Sequence, residues 1–167
     1  MTDPRLDYLL RLLDEGFDKK AWHGPNLKGS VKLVEADAAV YRPGPGRKNI
    51  WEHVIHAAYW KYATRRRITG EKRGAFPIPG SNWFERPDPA VHLMDWPEAW
   101  SADKKLLDEQ HRLLRAAVAT FDPKKLDKPW AGSRYVPSKQ IFGIAMHDVY
   151  HAGQIQLLKK LAVQASE

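Results

Sequence analysis

The sequence predicts an all-α protein in which four long helices form a four-helix bundle with long connecting loops. Apolar residues recur at helical spacing in four segments, and stretches rich in proline and glycine separate these segments. No part of the chain shows the alternating pattern of successive strands. Helices with one apolar face bury it by packing against each other. The 167 residues are expected to form a single domain over residues 1–167.

The first predicted helix covers about Asp3–Lys20, where leucines recur every three or four residues along one face. Pro4 suits its first turn, where a missing backbone N–H costs nothing. The segment AWHGPN then interrupts the pattern. A further helix is predicted over Asn26–Tyr41, with Asn26 as its cap, although Gly29 and Ser30 weaken helix formation there.

The next helix begins after the breaker RPGPGRK, runs to about Thr69 and ends at Gly70. Asn49 and Glu52 have the spacing of a capping box at its start. Residues 70–97 then form a long loop with five prolines. A loop of this length is either functional or a packed surface loop, in this case one whose aromatic residues cover an end of the core.

Two more helices are predicted over about Pro97–Phe121 and Ser138–Val163, with a second loop between them. On the last helix, His147, His151 and Ile155 follow the steps of a buried stripe. Both histidines therefore project from one face, about one turn apart and near the core.

A divalent metal ion would satisfy both of these imidazoles at once. An unsatisfied buried polar group costs about 1–3 kcal/mol, so each ring needs a partner. The spacing matches that of the HExxH zinc helix, but Asp148, Val149 and Tyr150 lie between the two histidines. The general-base glutamate is absent, which excludes that class of metalloprotease. On its own, an HxxxH pair also arises by chance on many helices.

Two histidines of the helix that begins after RPGPGRK are candidates for a third ligand. His56 lies on the wider apolar face of its helix and is the better candidate, with His53 as the runner-up. Three imidazoles and an open position would form a catalytic type of metal site. Otherwise, His53 is expected to be exposed or partly buried beside the site. His23 is expected to be a turn residue or to line the mouth of the site, His111 to face outward or pack at an edge, and His92 is assigned no role.

At these residues the chain resembles the DinB-like superfamily of damage-inducible proteins, which is distinct from the DNA polymerase of that name. The resemblance lies in WEHVIHAAYW with His56, in HDVYHAGQIQLLKK with His147 and His151, and in AWHGPNL, and it covers nearly the whole chain. It implies a four-helix bundle, often dimeric, with one divalent metal ion such as zinc or nickel on these three histidines. Characterised relatives include transferases and isomerases that use low-molecular-weight thiols such as bacillithiol or mycothiol.

The first hypothesis for function is a metal-dependent enzyme that acts on a small molecule, most simply a thiol-dependent S-transferase or a related transferase or hydrolase. The chain has no cysteine, so the sulfur nucleophile would come from a cosubstrate. Glu52 and Asp148 are candidate proton acceptors, but a helix cap and a solvent-facing charge are the simpler roles for them. Tyr150 and Gln154 are candidates for contacts to the substrate or to the ligand histidines.

The second hypothesis is a non-catalytic metal-binding or stress-response interaction module. A fourth ligand, such as His53 or His23, would favour it, because structural zinc is normally four-coordinate. The formal charge of +7 and the seven tryptophans prompt a third hypothesis, nucleic-acid binding. However, no helix-turn-helix or zinc-finger pattern is present, so nucleic acid is not an expected partner.

Location and assembly are expected from the same features. The chain has no cysteine, no apolar run of membrane-spanning length and no signal-peptide pattern at its start. A cytoplasmic protein without a membrane partner is therefore expected. A homodimer is implied by the family resemblance.

Overall fold

The computed structural model describes residues 3–74, 76–88, 95–130 and 133–165, and over these ranges the regular structure is entirely helical. The all-α part of the predicted fold class is thereby confirmed. A short 3-10 turn covers Pro123–Lys125. The α-helices of the described ranges are α1 (Pro4–Phe17), α2 (Leu27–Val31), α3 (Ala36–Ala39), α4 (Ile50–Thr69), α5 (Trp96–Ala119) and α6 (Pro137–Gln164).

The four long helices pack along one another. Helix α4 lies against α5, and α6 lies against both α1 and α4. One buried apolar cluster includes Trp51 and Trp100, whose ring centroids are 5.4 Å apart. A second cluster joins Leu13 of α1 to Leu114 of α5 and to the start of α6. None of the helices described above is both long enough and apolar enough to span a bilayer.

The capping box at the start of α4 is confirmed. The Asn49 side chain accepts a hydrogen bond from the Glu52 N–H at 2.8 Å, and the Glu52 carboxylate accepts one from the Asn49 N–H at 3.0 Å. Glu52 is buried and also pairs with Arg42 and Lys48. At the other end, Gly70 has a positive φ of 77°, which terminates the helix as predicted. The predicted role of Glu52 as a cap therefore stands.

The single helix predicted over Asn26–Tyr41 is wrong, because the structure has the two short helices α2 and α3 in its place. Asn26 does cap α2, where its side chain accepts a hydrogen bond from the Gly29 N–H. Beyond α2, however, the Val34 carbonyl accepts a hydrogen bond from the Trp100 indole at 2.7 Å. A continuous helix would need that carbonyl for its own ladder.

Residues 76–88 of the long loop are anchored to the helices. The Asn49 side-chain amide donates to the Arg86 carbonyl at 2.6 Å, and the Arg86 guanidinium donates to Asp103 at 2.7 Å. Phe84 is buried against Tyr59 of α4. This part of the loop thus covers one end of the core, which is one of the two predicted alternatives. The predicted loop residue His92 lies outside the described residues.

Lys61 of α4 and Asp148 of α6 form an ion pair in which both side chains are fully buried. Asp148 was expected to face solvent, and this prediction is wrong. The residue lies on the side of α6 that faces α4, between the buried Ala145 and His151. The Lys61 ammonium also lies 4.8 Å from the centre of the Phe17 ring of α1. The pair therefore joins two helices at a point where water is excluded.

His111 is also buried, so the prediction that it faces outward or packs at an edge is wrong. It belongs to the buried stripe of α5 that includes Leu107, Leu114 and Val118 at helical spacing. Its ring stacks on Phe17 with centroids 3.8 Å apart. Burial, reinforced by the positive charges of Lys61, Arg115, Lys28 and Lys19, lowers the pKa of His111 to about 2.

Replacing Lys61 by methionine should strongly destabilise the fold, because Asp148 would be left as a buried charge without its partner. We expect a loss of about 3–5 kcal/mol in the free energy of unfolding, measured by urea denaturation. The loss in the free energy of unfolding of the double variant K61M/D148L should be much smaller than the sum of the losses of the two single variants. Arg112→Met is the control, since that exposed pair with Glu109 should contribute nothing measurable. Additive losses would contradict this prediction.

His111→Phe should remove part of the acid sensitivity of the fold. Below pH 6.5 the unfolded chain protonates His111 while the folded chain does not, until about pH 2, so stability falls as the pH falls through this window. The free energy of unfolding of the variant relative to wild type should therefore rise by about 1.4 kcal/mol per pH unit below 6.5. Urea denaturation at pH 7.5, 6 and 5 measures this difference. The control is His23→Phe, at an exposed position, whose free energy of unfolding relative to wild type should stay the same at the three pH values.

Candidate metal centre

Three imidazoles from α4 and α6 converge on one point. The Nε2 atom of His147 is 3.1 Å from that of His56 and 3.0 Å from that of His151. One nitrogen from each of the three rings lies within 4.8 Å of the other two. His56 and His151 are buried and His147 is half-buried. The structure thus brings together the three residues that were predicted as ligands.

The hydrogen bonds of two of these rings determine their tautomers, and so which nitrogen directs a lone pair at the centre. The Nδ1–H of His56 donates to the Asn82 carbonyl at 2.7 Å, and the Nδ1–H of His151 donates to the Gln154 side-chain oxygen at 2.7 Å. A neutral imidazole has a single N–H. The Nε2 atoms of His56 and His151 are therefore both acceptors that point at the cluster.

The third ring cannot supply hydrogen bonds for the whole cluster, because His147 has at most one N–H at Nε2 to offer two neighbours. Its Nδ1 atom is buried, with no hydrogen-bond partner in the described part of the chain. A cation bound by all three rings would remove the repulsion between the lone pairs that face each other in the cluster. Tetrahedral zinc with Zn–N bonds of about 2.0–2.1 Å places ligand nitrogens roughly 3.3–3.4 Å apart. The two separations from the His147 Nε2 atom lie within a few tenths of an ångström of this value. The residues therefore fit a divalent ion such as zinc or nickel.

The surroundings keep these rings uncharged. Burial, together with repulsion between neighbouring imidazoles, lowers the pKa of His147 to about 3 and that of His151 to about 2. Burial also lowers the pKa of His56. Neutral imidazole is the form that coordinates a metal ion, so at neutral pH the cluster is in its ligand state.

His53, the runner-up, lies behind this cluster. It is buried, whereas an exposed or partly buried position was expected. Its Nδ1 atom is 3.0 Å from the Nδ1 atom of His151, which is the nitrogen of that ring directed away from the centre. Burial lowers the pKa of His53 to about 4. The cluster of candidate ligands found in the structure comprises the other three histidines.

Asn82 and Trp83, which sequence reasoning missed, complete the site. The Trp83 ring stacks on His56 with centroids 3.8 Å apart and an interplanar angle of 12°. Asn82 has a φ of 65°, and its side-chain oxygen accepts a hydrogen bond from the Trp60 indole at 2.9 Å. Asparagine tolerates this left-handed conformation better than most residues, which is the one local signal available in SNW.

The remaining predicted residues lie around the centre or away from it. Gln154 holds His151, and its side-chain N–H donates to the hydroxyl of the exposed Tyr150 at 3.3 Å. Asp148 is paired with Lys61, as described above. His23 is exposed before α2 and is not part of the cluster.

These features define an all-helical protein with a three-histidine cluster between two long helices that could hold a metal ion. A family model described as the DinB superfamily matches residues 21–155, which is most of the chain. The chain belongs to the DinB superfamily, as its sequence motifs indicated. The comparisons with curated proteins and with solved structures found no match.

The backbone conformation of Asn82 should affect stability and metal affinity more than its side chain does, because its backbone carbonyl accepts the hydrogen bond from His56. Asn82→Gly keeps the left-handed backbone accessible, whereas Asn82→Val places a β-branched residue there, at a further cost of about 1–2 kcal/mol. We therefore expect lower stability for the valine variant in thermal unfolding. We also expect its affinity for Zn²⁺ to be about 10–100-fold weaker than that of the glycine variant. Equal behaviour of the two variants would refute the role of this backbone conformation.

Proposed function

We propose that this chain is a metal-dependent enzyme in which His56, His147 and His151 hold one divalent ion, such as zinc or nickel, within a four-helix bundle. The observation that carries the proposal is the position of the His147 Nε2 atom, 3.1 Å from that of His56 and 3.0 Å from that of His151, with all three ligand atoms within 4.8 Å of one another. When bound, the ion would supply Lewis-acid chemistry and lower the pKa of a water or thiol beside it.

The number of ligands supports a catalytic rather than a structural site. Structural zinc is usually closed by four protein ligands, whereas catalytic zinc keeps a position for water or substrate. His53 contacts the Nδ1 side of His151 and so leaves the cluster with three ligands. A non-catalytic metal-binding or stress-response module is the alternative, and its basis is this fourth buried histidine beside the site.

The residues around the cluster have positioning roles in this proposal. The Asn82 carbonyl and the Gln154 side chain orient two of the rings, and the stacked Trp83 shields one face of His56 from water. Glu52 caps α4 and Asp148 neutralises Lys61, so neither is proposed as the proton acceptor. The exposed Tyr150 hydroxyl is the candidate contact to substrate.

The reaction that we propose is a thiol-dependent S-transfer, or a related transfer or hydrolysis, on a small-molecule substrate. The chain has no cysteine, so a low-molecular-weight thiol would have to provide the nucleophilic sulfur. Such thiols are kept reduced in the cytoplasm, which is where we place the activity.

We also propose that the chain forms a homodimer through α6. Three large apolar side chains lie along one exposed stripe of this helix: Phe142, Met146 and Leu157. Exposed apolar patches of this kind mark association surfaces, and a two-fold interface would cover the same stripe on both copies.

Metal content tests the proposal directly. Wild type, His56→Ala and His151→Ala would be purified without a metal-affinity tag and analysed by mass spectrometry. We expect about one equivalent of metal in wild type and none in either variant, because two ligands do not retain the ion. His23→Ala, at an exposed histidine outside the cluster, should keep the metal. The metal site would be refuted if wild type contains no metal and both variants are as stable as wild type after metal is added back.

The metal-loaded protein would then be assayed with bacillithiol, mycothiol or glutathione and an electrophile such as chlorodinitrobenzene. We expect turnover that His56→Ala lacks and that chelation removes. Bound metal without turnover, combined with metal loss in His53→Ala, would favour the non-catalytic module.

A further inference from the structure

A cavity lies between the end of α4, the residues that follow it and the residues that lead into α6. Its volume is about 910 Å³, which is in the range of small-molecule sites. Aromatic rings line part of its wall, contributed by Trp60, Trp130 and Tyr135. Four arginines also line it, and we call it the arginine cavity after them: Arg66, Arg67, Arg73 and Arg134.

The described lining of the arginine cavity has a net positive charge, because it includes four arginines and one glutamate. In the described residues, none of its four guanidinium groups forms an ion pair with a carboxylate. Glu71 also lines the cavity, but its carboxylate is engaged by Arg65 and by the Thr69 hydroxyl. Burial lowers the pKa of Arg67, and the positive charges of Arg66 and Arg73 on the same wall lower it further.

The geometry of these arginines suits an anion. Arg67 lies 5.7 Å from the Trp60 ring centre and Arg134 lies 5.0 Å from that of Tyr135. Stacking on aromatic rings restrains a guanidinium and leaves its N–H edge free to donate. Phosphates and carboxylates accept two parallel hydrogen bonds from that edge. An anion would also relieve the mutual repulsion of the arginines.

The arginine cavity is connected to the histidine cluster along the surface formed by α4 and α6. Trp60 lines the cavity and donates to Asn82, whose carbonyl holds His56. On α6, Gln140 lines the cavity and His147 follows seven residues later on the same face, which is about 10 Å along the axis. Gly143 lies between these two residues, and a Cβ added there would meet nothing within 4 Å. The surface next to Gly143, between the two sites, therefore has room for a ligand.

We infer that the arginine cavity binds the anionic end, a phosphate or a pair of carboxylates, of an elongated small molecule whose other end reaches the histidine cluster. The assignment of the reacting end rests on the proposed function. Recognition of the anion is independent of the proposed function, because it needs only the arginines and the aromatic wall. The cavity therefore sets the class of substrate or cosubstrate as an anionic molecule about 10 Å long.

The test measures anion binding on metal-free protein, so that it is independent of catalysis. Phenylphosphonate and phenylsuccinate are the probes, titrated at 150 mM NaCl and followed by isothermal calorimetry and by tryptophan fluorescence. We expect at least one probe to bind wild type with a Kd below about 1 mM. The double variant R67Q/R134Q should bind it at least about tenfold more weakly. Whichever probe binds more tightly identifies the anion as a phosphate or a dicarboxylate.

Arg11→Gln is the matched control, because Arg11 is an exposed arginine that also lies over an aromatic ring, that of Tyr8. It should bind the probe within about twofold of wild type. Arg73→Gln, at an exposed position of the cavity, gives a second test if the double variant does not fold. Equal weakening in R11Q and R67Q/R134Q, or no binding to folded wild type, would overturn the inference.

The same titration separates this inference from the proposed function. If His56→Ala has lost its metal but still binds the probe, the anion site is supported on its own. If wild type holds its metal and binds neither probe, the anion site is overturned and the metal site stands.

Discussion

The buried ion pair between Lys61 and Asp148 determines how α4 and α6 face each other, and the histidine cluster depends on that pairing. Lys61 follows His56 by five residues, and Asp148 follows His147 directly. Two charges removed from water are tolerated only while they remain together. A slip of one helix along the other by a turn, about 5.4 Å, would separate the charges and the imidazoles at once. The pair thus stabilises the register on which the site is built.

The other two long helices are coupled to this ion pair through aromatic contacts. Phe17 of α1 lies between the Lys61 ammonium, 4.8 Å from its ring centre, and the ring of His111 of α5, whose centroid is 3.8 Å away. Nearby, Gly16 of α1 approaches the backbone of α6 so closely that a Cβ there would lie 2.9 Å from the Ala145 carbonyl oxygen. Helices α1 and α5 therefore pack against α4 and α6 close to the ion pair, and this packing supports the helices that carry the ligands.

Local features of the fold could be predicted from the sequence, whereas contacts across helices could not. The caps of α4 were predictable because Asn49, Glu52 and Gly70 act within a few residues of each other. The burial of Asp148 was not, since it depends on a lysine 87 positions away. The predicted helix at Asn26–Tyr41 is replaced by two short helices, and the Val34 carbonyl between them is bound by the Trp100 indole, 66 positions away.

The candidate site likewise has residues that could be predicted from the sequence and residues that only the fold brings together. His147 and His151 were predictable from their spacing on one helix, and His56 from its apolar face, because periodicity reports which side a residue faces. Asn82 orients His56 only because the loop is anchored through Arg86 and Asp103 to helices distant in the sequence. Arg66, Arg67 and Arg73 are close in the sequence, but only the fold places them around a cavity with Arg134. Helices thus position the candidate ligands, while the loops supply the contacts that would distinguish one substrate from another.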